Sequence, residues 1–575
     1  MFQYLKIFLP AITKKDFFLD NSIRVKLYQL IPLSFISSIL EILSISMLIP
    51  ILAYFVELKD FTIFSFVKIQ KIFDSFFFDL TLNNLLITIL FLFTLKNIFL
   101  LLIVYNRHNV NNLISKNISK KLYSQYINSN FSSIYFLQTP TIIKNLTTET
   151  LLYGRYIFSF IILITEAILL LSLLIFLFYL DFKITLSIIA LLSISVFLFY
   201  IFSKKFVVSW SKNREYLENL RLKNIQEVFS GFMTVKIFQL EKIFIKDFEN
   251  KNNFYDFIKK ERFIGETPRY FLEIFLLFII MIIILSSQFH NSDKKELFVL
   301  ISLFSVFFIR MIPSMNKILI AITSMKYCLN STKVIQNEIK KFDNSENKNS
   351  SHVEKNFNLS QFNQEIKFEN ICFNFVQENK FLNQINFQIK KNKITGISGP
   401  SGSGKSTLIN IIAGLLKPQS GNIFLDGKSV DVSSEGWKTL FSYVPQNIYI
   451  FEDTFRGNIL LNNKFKNIPD NKIFSLIKKL KLDKIVKSEE DLNNFLRENG
   501  KNLSGGEKQR IGFARALIEE KPILILDEAT NALDKKSQNE ILDLIVSLKE
   551  NKTIIIVSHD KEVIGVCDYT IDLGD

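Results

Sequence analysis

Apolar positions are distributed unevenly along this chain. Nearly every long apolar run lies before about residue 325, and the runs that follow are short and strand-like. Six stretches reach the length of roughly 20 residues that an α-helix needs to cross a bilayer: Leu27–Phe55, Leu85–Tyr105, Tyr156–Leu180, Thr185–Phe202, Pro268–Phe289 and Leu297–Ile320. From about Lys326 to Asn363 the chain turns polar, ending in "NSENKNSSHVEKNFNLSQFN". Short apolar strands, glycine loops and amphipathic helices then alternate to the end. The pattern predicts an all-α six-helix transmembrane domain over residues 1–325, a linker over 326–363 and an α/β domain over 364–575.

Charge orients this layout. Basic residues crowd the N-terminal tail (Lys14, Lys15, Arg24, Lys26), the segment after the second span (Arg107, Lys116, Lys120, Lys121, Lys144) and the segment after the fourth. The segment after the first span is balanced by Glu57, Asp60, Asp74 and Asp79. Both termini are therefore expected on the cytoplasmic side. A net charge of +15 invites a nucleic-acid reading, but no motif interleaves aromatic and basic residues, and Lys, Asn, Ile and Phe (59 of them) are abundant throughout. Positively charged cytoplasmic loops account for the charge better, and no nucleic-acid partner is expected. Hydrophobic residues make up 49% of the 575, giving a mean hydropathy of +0.24. Cys328, Cys372 and Cys567 show no metal or redox spacing and read as buried free thiols. The first twenty residues hold a short apolar run without a small-residue cleavage site, so a signal peptide is not expected.

Charges inside the spans are informative because an ionisable side chain at mid-bilayer costs a few kcal/mol on insertion scales. Glu41, Lys96, Glu166, Glu273 and Arg310 fall within apolar runs, and Arg269 and Lys317 lie nearer the cytoplasmic ends. Arg310 and Lys317 stand two helical turns apart on one face, with Pro313 between them as an expected kink. Two readings are open: mutual pairing of Glu with Lys or Arg, or a cationic lining for an anionic substrate. Spacing alone does not favour the second. Between the first two spans, "FTIFSFVKIQKIF" alternates apolar and polar residues at helical spacing, which suits either the outer membrane interface or packing on the bundle.

The second half carries recognisable chemistry. In "ITGISGPSGSGKSTLINIIAGLL", Gly399, Pro400, Ser401, Gly402, Ser403, Gly404, Lys405 and Ser406 fit the phosphate-loop pattern at every defined position, between a strand and a helix that begins with Lys405, Ser406 and Thr407. Glycine backbone N–H groups wrap phosphates, the lysine reaches the outer ones and the serine hydroxyl ligates Mg²⁺. "PILILDEAT" places Asp527 and Glu528 at the end of an apolar strand, one suited to holding the metal and the next to polarising a water. "TIIIVSHD" places His559 at the end of another. A strand-end histidine taken alone is more often structural; beside the other motifs it reads as part of the site. "KNLSGGEKQR" is a second phosphate-binding candidate, a loop holding Ser504, Gly505 and Gly506 with "EKQRIGFARAL" behind it reading as a helix whose N-terminus points at the loop. Two such loops about one hundred residues apart are one more than a single nucleotide needs.

The phosphate loop, "LSGGE", "LILDEAT", Asp534 of "NALD" and His559, in that order, resemble the ATPase domain of ATP-binding cassette (ABC) proteins. Six spans ahead of one such domain resemble an exporter-type half-transporter. The resemblance implies ATP and Mg²⁺ as ligands, with Gln446 touching the metal and Phe375 stacking on adenine. It also resolves the surplus loop. Two ATPase domains meet head to tail, and Ser504–Gly506 of one chain cap the nucleotide held by the phosphate loop of the other, so a second identical subunit is the expected partner. Three departures from the family pattern are Glu507 for glutamine, Phe375 for tyrosine and Arg497 for glycine. The segments 138–150 and 224–241 lie where exporters place short docking helices.

The membrane half is similar to bacterial flippases for lipid-linked oligosaccharides, through "LEILSISMLIP", "ITEAILLL" with "LDFKITL", "PRYFLE" and "RMIPSMNK". That resemblance implies a multi-pass protein of the bacterial inner membrane moving a polyprenyl-pyrophosphate glycan. Lys96, Arg269, Arg310 and Lys317 would meet the pyrophosphate, and the resemblance tips the intramembrane charges toward a cationic lining. Lysine in place of arginine at two of these positions weakens bidentate phosphate contacts but keeps the charge. Export of a peptide or another lipid is the alternative. A non-transporting membrane ABC ATPase is the remaining one, disfavoured by the charged residues within the spans.

Overall fold

The computed structural model describes residues 21–48, 82–180, 182–288, 294–350, 362–374, 381–461, 468–531 and 533–574. These fall into two compact units, a helical one within Met1–Ser129 and Phe136–Lys348 and a mixed one within Asn130–Tyr135 and Asn349–Asp575. The amphipathic segment 61–73 and Phe375 lie outside the described residues.

The helical unit is built from long helices: α1 (Asn21–Ser46), α2 (Leu82–Asn128), α3 (Thr139–Lys144), α4 (Thr150–Leu180), α5 (Phe182–Ser230), α6 (Phe232–Ile237), α7 (Phe254–Gln288) and α8 (Lys294–Ser350). At 1.5 Å per residue, the 47 residues of α2 and the 49 of α5 reach about 70 Å, more than twice the roughly 30 Å of a bilayer core. Both helices are therefore long enough to hold a membrane crossing and an extension beyond it in one rod. Four helices among the described residues are long and apolar enough to cross a membrane: Ile23–Ser46, Leu86–Asn128, Thr139–Leu180 and Ser305–Phe342. The expected spans Thr185–Phe202 and Pro268–Phe289 fall largely within α5 and α7.

Helix packing follows the membrane rule that small and polar residues mark contact faces. In α1, Ser34, Ser37, Ser38, Ser44 and Ser46 are buried, and Ser34 and Ser44 donate to the carbonyls of Leu30 and Leu40, one turn back, at 2.6 and 2.8 Å. This satisfies the hydroxyls without water. At Gly154 a Cβ would lie 2.0 Å from Ser115 Oγ, so the glycine is what lets α4 approach α2.

Away from the apolar runs, buried charge joins the helices. Arg214 of α5 donates to Glu218 at 2.6 Å, to Glu149 at 3.2 Å and to Ser331 of α8 at 3.3 Å. Burial pulls the Arg214 pKa down, but the carboxylates of Glu149 and Glu218 outweigh it and hold the guanidinium charged. Lys144 pairs with Glu215 at 3.3 Å and Arg155 with Glu261 at 2.6 Å. The segments expected to hold short helices contain α3, a π-helical turn at Asn145–Glu149 and α6.

The linker begins later than polarity suggests. Helix α8 runs on to Ser350, passing through Pro313 and through the first half of the stretch assigned to the linker. Tyr327, Cys328, Ser331, Ile335, Ile339 and Phe342 are buried. These positions recur every three or four residues, so "YCLNSTKVIQNEIKKF" is an amphipathic helix whose polar face dominates its composition. Of the three free cysteines, only Cys328 is fully buried; Cys372 and Cys567 are half-exposed.

The second unit holds two sheets. The smaller is antiparallel in the order β2-β1-β4-β5, with β1 Glu365–Asn374, β2 Phe381–Lys390, β4 Ser420–Leu425 and β5 Lys428–Ser429. The larger is parallel in the order β6-β7-β8-β3-β9, with β3 Ile394–Ser398, β6 Phe441–Val444, β7 Ile523–Asp527, β8 Thr553–Val557 and β9 Tyr569–Asp572. Alternate residues of β7 enter different cores: Leu524 and Leu526 join one, Ile523 and Ile525 the other. Both faces are thus covered, as uninterrupted runs such as "ILIL" and "TIIIV" require. Because the strands are parallel, Ser398, Asp527 and the residues after Val557 emerge at one edge.

Replacing Arg214 by Met leaves Glu149 and Glu218 buried without their cation, which costs about 3–5 kcal/mol. Thermal unfolding in detergent should show a fall of several degrees for R214M. K223M, which removes the exposed Lys223–Glu227 pair, should stay close to wild type. Equal melting temperatures for the two variants would contradict the assigned weight of the buried cluster.

Candidate functional site

The phosphate loop leaves β3 and enters helix α9 (Lys405–Ile412). Gly402 and Gly404 adopt φ of +90° and +95°, where a side chain is strained, and at Gly404 a Cβ would also come within 2.7 Å of Leu382. Those conformations bend the backbone into a cradle at the helix start. Lys405 is buried and its ammonium donates to the carbonyls of Gly399 and Pro400 at 2.7 and 2.8 Å. The lysine therefore closes over its own loop, satisfied by backbone oxygens that a phosphate oxygen can replace. Pro400, Ser401, Ser403, Ser406 and Thr407 complete the loop and the first turn of α9.

Asp527 ends β7 and accepts a hydrogen bond from the Tyr443 hydroxyl at 2.9 Å. Burial raises its pKa; the Tyr443 bond and nearby Lys405 pull against that, and the charge of Glu528 adds to it. An oxygen donor so placed, at the strand edge from which the phosphate loop also leaves and close enough to feel the charge of Lys405, is suited to a hard divalent cation. Glu528 follows in the left-handed region, φ +47°, a strained conformation for a residue with a Cβ. It is held there from several sides. Its N–H donates to Val557 O at 3.0 Å, while Gln446 Nε2 and Asn531 Nδ2 donate to its Oε2 at 2.5 and 2.9 Å. His559 Nδ1 stands 3.8 Å from Oε1. Gln446, Glu528 and His559, predicted separately from distant motifs, thus converge on one carboxylate. Tyr443 and Asn531 were not anticipated; both are polar groups beside the predicted carboxylates, visible only once strand register places them.

The second loop has a different environment. Ser504 is the N-cap of helix α10 (Gly505–Ile518). Its hydroxyl accepts from the Glu507 N–H at 3.3 Å, and the Glu507 carboxylate accepts from the Ser504 N–H at 2.7 Å. Either glutamate or glutamine can form this reciprocal capping box, so Glu507 in place of glutamine leaves the helix start intact. Ser504 and Gly505 are exposed, Gly506 is half-buried, and none of the three bonds to residues of the phosphate loop. Arg515 anchors the helix by donating to the carbonyls of Asn458 and Tyr449 at 2.5 and 2.6 Å; burial lowers its pKa to about 10. Asp534 caps helix α11 (Lys535–Leu548), accepting from Ser537 N at 3.3 Å; the Ser537 hydroxyl first and this N–H second draw its pKa below the usual carboxylate range.

In the helical unit the cations are paired. Glu41 lies between Lys96 at 3.3 Å and Arg310 at 2.6 Å, and Glu166 lies between Lys317 at 3.1 Å and Arg107 at 3.5 Å. Arg269 instead forms an exposed pair with Glu273 on its own helix, at 2.9 Å. Of the two readings, mutual pairing is thus present; Arg107, placed among the loop charges from sequence, belongs to it.

Comparison with known proteins follows the same division. Residues 382–531 match the ABC transporter family model. A Rickettsia prowazekii protein named as an export ATP-binding/permease protein is 26% identical over 82% of this chain and 81% of its own length. An ATP-dependent lipid A-core flippase of Haemophilus ducreyi is 35% identical over 36% of this chain and 37% of its own. An ABC transporter ATP-binding protein of Mycoplasma genitalium is 28% identical, and the match spans 64% of its length. Among solved structures, a bacterial Atm1-family ABC exporter with ATP bound superposes with a TM-score of 0.74 at 17% identity, over 96% of this chain and 94% of that one. The chain has the fold of an ABC exporter subunit and carries an ABC transporter ATPase domain.

Proposed function

We propose that the protein is a homodimeric, ATP-driven exporter of the bacterial inner membrane that moves a polyprenyl-pyrophosphate-linked glycan across the bilayer. The observation that carries the ATPase reading is the convergence of Gln446, Asn531 and His559 on Glu528, beside Asp527 and the phosphate loop. In this reading Lys405 exchanges the carbonyls of Gly399 and Pro400 for the outer phosphates. Glu528 orients the attacking water and accepts its proton, Gln446 and Asn531 hold the carboxylate in line, and His559 donates toward the terminal phosphate. Ser406, Asp527 and Gln446 would hold Mg²⁺, which when bound would supply charge neutralisation on the phosphates. The exposed Ser504–Gly506 loop caps a partner's nucleotide, and Asp534 belongs to the same dimer surface. Exposed Phe232, Met233, Ile237 and Phe238 on and beside α6 support a docking role for that segment.

For the cargo, support comes from the two carboxylate-centred clusters, each holding one more cation than it neutralises, and from Arg269. An anionic headgroup is their natural complement. Lipid A-core flippases among the relatives favour a second reading, in which the cargo is another phosphate-bearing lipid.

Changing Glu528 to Gln should leave ATP binding intact and cut steady-state phosphate release by about 10²–10⁴-fold, with nucleotide trapped in the dimer; normal turnover would remove Glu528 from its role. Shared sites can be tested with mixed dimers of Lys405→Ala and Ser504→Arg chains. Each homodimer should be inactive, whereas the mixed dimer keeps one composite site with both loops intact and should regain up to half the wild-type rate. Mixed dimers as inactive as their parents would place the whole site in one chain. The double variant Arg310→Ala, Lys317→Ala should slow flipping of a polyprenyl-pyrophosphate probe in liposomes at least tenfold, since each charge-assisted contact is worth about 1.5–3 kcal/mol. Unchanged flipping would exclude a cationic substrate site there.

A further inference from the structure

We propose that Glu41 and Glu166 are resident counterions that limit each subunit's share of the membrane site to two surplus positive charges, so that each subunit matches a lipid carrying two anionic charges. This rests on the anionic-cargo reading above and adds the part played by the acids.

Three features of the clusters carry it. The first is charge balance. Glu41 of α1 faces Lys96 of α2 and Arg310 of α8, and Glu166 of α4 faces Arg107 of α2 and Lys317 of α8. One carboxylate against two cations leaves a surplus of one positive charge in each cluster, and two in the chain.

The second feature is the direction of access. The carboxylates are almost wholly buried, at 1% and 5% side-chain exposure, while Arg310 and Lys317 are 24% and 48% exposed. The acids lie behind their cations, and the cations show their other sides. A ligand can pair with Arg310 and Lys317 without first displacing an acid. These two stand on one face of α8 about 10 Å apart along the axis, by the rise of the helix.

The third feature is incomplete satisfaction. Oε2 of Glu41 and Oε2 of Glu166 are buried without a hydrogen-bond partner among the described residues. Arg310 Nε, though 2.6 Å from Glu41 Oε1, is out of line for a hydrogen bond. Lys96 rests its ammonium over the Phe93 ring at 4.2 Å, and Arg107 donates also to Thr165 Oγ1. Lys96, Arg107 and Lys317 do donate to the acids, but every one of these contacts falls on a single oxygen, Oε1, so each carboxylate keeps an oxygen uncommitted and its cations share one acceptor. Without the acids, four cations would meet the ligand at full strength and hold it; without the cations, the acids would repel it. With both, attraction is limited to the charge the ligand brings.

The test uses the full-length protein in liposomes, reading ATPase stimulation against the concentration of polyprenyl pyrophosphate, polyprenyl monophosphate and uncharged polyprenol. Wild type should respond at lower pyrophosphate than monophosphate and show little response to polyprenol. Glu41→Gln should lower the half-maximal concentration for both anions roughly tenfold, the effect of one added unit charge about 12 Å from the ligand at an effective dielectric near 20. The double variant Glu41→Gln, Lys96→Gln restores the surplus of one and should return the curve to its wild-type position; a purely structural role for Glu41 would instead make the single variant respond more weakly, at higher anion concentration. Glu166→Gln and Glu166→Gln, Arg107→Gln repeat the comparison at the other cluster, so a folding defect at one leaves the proposal exposed at the other. Glutamine variants whose curves superimpose on wild type, while Arg310→Ala, Lys317→Ala shifts its own, would overturn the counterion role and leave the anionic site standing. No shift in either set would overturn both.

Discussion

A charge taken out of water must be met by another, and much of this chain is organised by that requirement. Transfer into a low-dielectric interior costs several kcal/mol per ion, and only a close partner offsets it. Four of the long helices are therefore not free to choose their neighbours. Glu41 commits α1 to α2 and α8; Glu166 commits α4 to the same two. Away from the apolar runs, Arg214 does the same for α5, α8 and the turn containing Glu149. Apolar packing between helices in lipid is weakly directional, because hydrocarbon chains offer nearly the same contacts. The buried charges supply the register that the apolar surfaces lack.

In the second unit the constraint is topological. A sheet buried on both faces must be parallel and nearly continuous in apolar residues, and parallel strands end together. Chemistry then collects at the shared edge because that is where each strand first meets polar surroundings. Glu528 shows what this demands of the backbone. It stands at φ +47°, and the surrounding structure over-determines it through Val557, Gln446 and Asn531. Strain held by several bonds fixes a carboxylate more firmly than relaxed geometry held by one.

Much of this was legible in the sequence, for identifiable reasons. The phosphate loop reads directly because only glycine tolerates the φ values at Gly402 and Gly404. Asp527, Glu528 and His559 read because each follows an apolar run that can only be a buried strand. The helical continuation through Phe342 did not, because an amphipathic helix with a narrow apolar stripe has the composition of a linker. Tyr443 and Asn531 depend on register and on a turn, which one chain of letters does not specify. The intramembrane pairs fall between these cases. That the charges needed partners followed from energetics alone, but Glu41 with Lys96 and Arg310, and Glu166 with Arg107 and Lys317, required the helices to be placed.

The paired cations also bear on how a membrane site remains both foldable and usable. Four uncompensated cations in apolar helices would oppose insertion, and a site of complete ion pairs would offer an anion nothing. Two acids for four bases lie between those limits: enough pairing for the helices to settle, with a surplus left on the more exposed arms, Arg310 and Lys317. The second phosphate-binding loop follows similar logic in the aqueous unit. Its capping box satisfies the orphan N–H groups of α10 that would otherwise require an anion, yet Ser504 and Gly505 stay exposed at the positive end of the helix dipole. In both places local pairing makes the isolated fold self-sufficient without exhausting the attraction, which is what the proposed external ligands would require.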